Sequence, residues 1–192
     1  MRNLSIGTHA KSGEVMDWSY YDSITLLSTT LSFNMFQSAV GQSSKRLDQT
    51  NMTANGLIPT GQRFTIHRVK ILYTGQAGTW VSAGTAQLQY LFTALNKSTL
   101  EFKIPGKDSL LVLTLQELLG DALQIVVAPT TAGNSLDAPK CRFSGIFPLN
   151  KPIILAEQTS FGVLVTHQVA NNAALDTDIL KISLNGILER RS

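Results

Sequence analysis

Three histidines, one cysteine and a few acids are the residues here that could do chemistry, and their spacing argues against most of it. His9, His67 and His167 lie far apart, and none has a second His or Cys at the short intervals of a zinc site. Each reads as a surface or satisfied core histidine unless folding unites them. Cys141 stands between Lys140 and Arg142, two cations that lower a thiol pKa when they face it. On a strand, however, neighbours point to alternate faces, which turns the thiol inward and the cations out. Ser144, in Phe143-Ser144-Gly145, lacks the first glycine of a nucleophile elbow. Gly106-Lys107 is followed by Asp108, and Glu101 occupies the place of a phosphate loop's first glycine. Asp17 with Asp22, and Asp176 with Asp178, read as loop acids too few and too widely spaced for a Ca²⁺ loop. The sequence therefore predicts no enzyme, no metal, no cofactor and no small-molecule substrate.

The elements that would position these residues are strands. Leu100, Phe102 and Ile104 alternate with Glu101 and Lys103, the period of a strand with one face on a core. Pro105-Gly106-Lys107-Asp108 breaks the run with turn residues, and Leu110 to Leu115 follows as a second, buried apolar segment. Together they predict a hairpin of an all-β sandwich. Arg63 to Tyr73 is a second strong strand. Phe64 and Ile66 share one parity and Val69, Ile71 and Tyr73 the other, so a bulge or a strand buried on both sides is expected near His67-Arg68.

The same reading assigns strands to Val15–Tyr21, to one long or two short stretches in Ser23–Gln37, and to Thr85–Leu95, where a short helix is the alternative. It assigns others around Leu123–Val127, Cys141–Leu149, Pro152–Ala156, Phe161–Val165 and Ile179–Leu188. A turn is expected at Asn150-Lys151 and one helical turn at Gln116–Leu119. Loops fall at Ser38–Gln62, Pro129–Pro139 and Gln168–Asp176. The first is long enough to be functional or disordered, and to reach a neighbour. Eight to ten short strands without βαβ alternation predict an all-β fold, an eight-stranded antiparallel jelly-roll sandwich with long loops.

Composition fits a protein that meets other protein. The 192 residues are 43% hydrophobic and 15% charged, against roughly 25% charged in ordinary soluble domains. Polar uncharged residues on the outer faces of a sandwich account for the same number. The net charge of +3 permits contact with nucleic acid or anionic lipid without demanding it. Neither a signal-peptide core nor an apolar run of membrane-spanning length is expected. A flexible N-terminal arm is expected over 1–14 and a single domain over 15–192. Trp18, Tyr20 and Tyr21 read either as an aromatic anchor into a neighbouring subunit or as a first strand packing on its own core. Arg190 and Arg191 are the other candidates for a subunit interface. Both ends, Met1–Glu14 and the tail from Glu189, are expected to order only in an assembly.

Four stretches carry a resemblance. They are Asp48-Gln49-Thr50-Asn51-Met52 with Gly56-Leu57-Ile58-Pro59 leading into Phe64-Thr65-Ile66; Leu100 to Ile104 with Gly106-Lys107; Leu149 through Pro152-Ile153-Ile154 to Phe161-Gly162-Val163; and Ile182 to Arg190. Over residues 35 to 191 the chain resembles the jelly-roll capsid proteins of tailless icosahedral DNA bacteriophages. The resemblance implies a capsid protein synthesised in the host cytoplasm and incorporated in the virion, self-assembling as homo-oligomeric capsomers with other virion proteins. Genome DNA or an internal membrane are candidates for its inner face. Many relatives carry two fused jelly rolls and this chain has length for one, so a minor or vertex protein is also open. The competing function is a β-sandwich binding module, lectin-like or a receptor-binding head, with Trp18, Trp80 and the tyrosines stacking on sugars. A cupin-like enzyme is disfavoured by the scattered histidines.

Overall fold

A computed structural model describes residues 13–26, 31–74, 81–82, 96–119, 123–126, 140–167 and 178–191. Met1 to Ser12, His9 among them, lies outside the described residues, as do Trp80, the strand expected at Thr85–Leu95, the loops expected at Pro129–Pro139 and Gln168–Asp176, and the Cys141 side chain.

Among the described residues, ten strands and one short helix follow in order. They are β1 (Glu14–Thr25), β2 (Ser32–Met35), β3 (Gln62–Thr74), β4 (Val81–Ser82), β5 (Ser98–Lys103), β6 (Leu111–Thr114), α1 (Leu115–Leu119), β7 (Leu123–Val126), β8 (Lys140–Leu155), β9 (Gly162–His167) and β10 (Ile179–Arg190). They form two antiparallel sheets. One runs β1-β10-β3-β8, with β4 and β7 both pairing with the start of β8; the other runs β2-β9-β5-β6. The architecture is a β-sandwich.

Alternation builds the core. Leu100 and Phe102 of β5, Val163 and Val165 of β9, and Leu180, Ile182 and Leu184 of β10 are buried, while the residues between them face out or lie half-buried. Phe102 stacks on Phe161 with ring centroids 5.9 Å apart. Within the larger sheet Tyr20 of β1 meets Phe64 of β3 edge-on at 4.9 Å. Such pairs stabilise beyond the apolar area they remove from water.

The hairpin expected at the centre of the sequence is present as β5 and β6, and Gly106 takes φ 76° in its turn. Its second arm is only half buried, however. Leu113 and Leu115 point inward, but Leu110 and Val112 are 46% and 58% exposed. Val112 lies opposite Glu101, on the face of the sheet turned away from the core. The expected helical turn is α1, which opens on a capping box: Glu117 N–H donates to Thr114 Oγ1 and Thr114 N–H to Glu117 Oε2.

The parity switch in β3 is a bulge. Ile66 pairs with Ile153 and Gly186, Arg68 with Pro148 and Asn185, and His67 is the extra residue. Gly186 is required opposite it, since a Cβ there would sit 1.9 Å from the Thr65 carbonyl oxygen. The two strands expected around a turn at Asn150-Lys151 are instead one strand, β8. The turn residues form an excursion, Leu149–Pro152, opposite the bulge. That part of β8 pairs only with β3 among the described strands, which is where Pro148 and Pro152 are tolerated.

Two further expectations change. The segment between β2 and β3 is not disordered. Met52 and Ile58 are fully buried, and Phe161 N–H donates to the Gly56 carbonyl at 2.7 Å. The C-terminal tail is not free either: Glu189 and Arg190 continue β10, paired with β1 on one side and β3 on the other, and Arg191 N–H donates to the Gly61 carbonyl. Glu14, expected at the end of the arm, already pairs with Arg190 in β1.

Candidate functional site

Trp18, Tyr20 and Arg190 come together on one end of the inner face of β1 and β10. The Trp18 and Tyr20 rings meet edge-on with centroids 6.2 Å apart, and the Arg190 guanidinium carbon lies 5.8 Å from the Trp18 ring. Tyr20 is buried in the core and its hydroxyl donates to Gln62 Oε1. Burial pushes its pKa up, and nearby Arg190 opposes the rise. Trp18 is half-buried; its indole Nε1 and the Arg190 Nε are buried without an acceptor. Arg190 also lies 3.6 Å from Glu14. Tyr21, next in sequence, faces the other way. Its hydroxyl donates to the Leu47 carbonyl, and the Lys181 ammonium lies 3.8 Å above its ring. Arg191 stands apart, 3.7 Å from Glu157. The five aromatic and basic candidates therefore divide among three places.

Asp22 is not a loop acid, whereas Asp178 does stand outside the strands, one residue before β10 begins. Asp22 is buried on β1, where it accepts from the backbone N–H of Ser23 and Phe36 and pairs with Lys45 at 2.8 Å. Asp178 is buried beside Tyr73, whose hydroxyl donates to it at 2.8 Å. Burial pushes the Asp178 carboxyl up, against the lowering effect of that hydrogen bond. Asp17 is exposed on β1, and Asp176 lies outside the described residues.

His167 ends β9 with its Nδ1 in contact with Ser98 Oγ. Both side chains are buried, and the imidazole meets Phe33 edge-on. The pair links the ends of β9 and β5. Burial pulls the His167 pKa down, and its Nε2 has no partner.

Of the two described histidines, His67 lies at a surface cleft. The bulge places His67 and Arg68 in a cleft of about 620 Å³ with Asp17, Trp18, Ser19, Asn51, Asn185, Gly186 and Ile187. Ser19, Asn185 and Arg68 stand in one row across β1, β10 and β3, and Ser19 Oγ donates to Asn185 Oδ1 at 2.6 Å. Asn51 is pinned to the β1 edge by the Tyr21 N–H and the Ser19 carbonyl. Sequence reasoning missed this group, although the parity switch at His67-Arg68 marked its centre.

Among the described residues no group of three or more His, Cys, Asp or Glu could hold a metal, and no helix is long and apolar enough to cross a membrane. Exposed aliphatic side chains lie at the outer edges of both sheets: Val15 on β1, Ile146 and Ile154 on β8, Leu110 and Val112 at β6. No family model matches the sequence, and no curated protein matches it at a significant level.

Proposed function

We propose that this chain is a single jelly roll acting as a structural protein of a virion, a capsid protein that self-assembles through cyclic capsomers into an icosahedral phage shell. The observation that carries the reading is strand order. With the short β4 and β7 set aside, β1-β10-β3-β8 faces β2-β9-β5-β6, so the chain crosses repeatedly between sheets and its first and last strands are neighbours. That crossing between two four-stranded sheets supports the jelly-roll reading. Fold alone does not assign function. The capsid reading adds the low charge and the sequence resemblance. It also draws on exposed aliphatics at the edges of both sheets, where lateral neighbours in a shell would meet.

Size-exclusion chromatography with negative-stain microscopy of the purified protein tests it. Rings, shells or other large closed assemblies are expected; a clean monomer at high concentration overturns the capsid role. The second reading, a β-sandwich binding module or vertex head, is favoured by the polar cleft at the β3 bulge.

A further inference from the structure

The cleft on the outer face of β1, β10 and β3 is built in a way that points to its occupant. Bulges re-aim side chains, and this one puts two consecutive residues, His67 and Arg68, into one cleft. Asp17 enters from β1 and Asn185 from β10. Among the described residues no ion pair or side-chain hydrogen bond engages Asp17, His67 or Arg68. A carboxylate and a guanidinium thus share a cleft without neutralising each other. The Asn185 amide is held through its oxygen by Ser19 Oγ, which leaves its nitrogen as a donor.

The chemistry of the lining narrows the ligand. The carboxylate offers two adjacent acceptors, the guanidinium a fork of donors, and the amide and imidazole mixed roles. Adjacent hydroxyl groups, each able to donate and to accept, satisfy such a set. Asp17 and Arg68 bring one negative and one positive charge to the cleft, which disfavours a polyanion. Ile187 gives it an apolar wall for the C–H face of a ring. A volume of about 620 Å³ falls within the roughly 300–1,000 Å³ of small-ligand sites. We propose that this cleft binds a neutral saccharide, with Asp17 accepting from two neighbouring hydroxyls and Arg68 and Asn185 donating to others. The inference rests on the binding-module reading for its ligand and does not need a shell.

The test uses the full chain on a printed array of neutral and acidic oligosaccharides, followed by calorimetric titration of the best neutral binder at low and high salt. Binding that is insensitive to salt is expected, because hydrogen bonds to neutral hydroxyls release no counterions. Arg68→Ala and Asp17→Ala, both exposed, are expected to weaken it by about tenfold or more each without moving the melting temperature. No neutral saccharide bound at millimolar concentration overturns the proposal. So does binding that both variants retain in full, or a preference for DNA or acidic sugars whose affinity falls steeply with salt. Size exclusion of the same sample reports the shell separately. Assembled shells that bind no saccharide overturn this inference alone; a monomer that binds one supports it and overturns the capsid role.

Discussion

Lys45 Nζ lies 2.8 Å from Asp22 Oδ1, an ion pair whose carboxylate is only 3% exposed and which joins the long segment before β3 to the first strand. The same ammonium donates to the Ser23 carbonyl, and the other carboxylate oxygen accepts from Phe36 N–H at 2.6 Å. One carboxylate therefore gathers β1, the end of β2 and the loop. Asp22→Ala leaves Lys45 and two backbone donors without their acceptor. Breaking a buried pair from one side costs about 3–5 kcal/mol, so a large drop in urea midpoint is expected. Asp22→Asn, which keeps an acceptor oxygen, is expected to lose less.

Phe102 is 1% exposed between the sheets and stacks on Phe161. Phe102→Ala is expected to cost about 3–5 kcal/mol by cavity formation. Chemical denaturation measures it directly, and an unchanged midpoint would contradict the packing described.

His167 makes acid stability a matter of sign. Its folded pKa lies below the ordinary value of 6.5 because burial disfavours the imidazolium. Between the folded value and 6.5 the unfolded chain binds more protons, so stability rises with pH there and falls as pH drops below about 6.5. Denaturant midpoints measured from pH 7.5 downward are expected to decline through this window. His167→Gln is expected to flatten that decline.

Gly186→Ala is expected to be poorly tolerated, since its Cβ would fall on the Thr65 carbonyl oxygen, a backbone atom with no room to move alone. Thermal melting compared with Gly106→Ala separates the causes. Gly106 has a positive φ but open space around it, so its substitution carries only the strain of the left-handed conformation.

Arg190 and Arg191 pair at 3.6 and 3.7 Å with the exposed acids Glu14 and Glu157. Surface pairs of this kind contribute about 0–1 kcal/mol, so serine at both positions is expected to leave melting almost unchanged. If the C-terminal edge meets neighbours in a shell, the same variant assembles less, and the defect varies with ionic strength because exposed charges are screened. Particles of normal yield at every salt concentration would remove these arginines from the interface.

Local periodicity determined most strands in advance. Phe161, Val163 and Val165, or Leu180, Ile182 and Leu184, alternate strictly, and the alternation is a property of the strand itself, whatever it pairs with. Even the β3 bulge left a trace, because an extra residue inverts parity in the chain that carries it. Asn150-Lys151 was misread because the same residues suit a turn between strands and an excursion within one. Val112 was misread because apolar character does not say which side of an edge strand is covered. The tail was misread because Glu189 and Arg190 look like solvent residues until β1 and β3 are beside them. Tertiary structure alone decided which strands became neighbours, and with that the cleft. Ser19 and Asn185 are 166 positions apart, and His67 reaches them only because β10 lies between β1 and β3. Pairing across such separations is set by the burial of both sheets at once, and no window of sequence contains it.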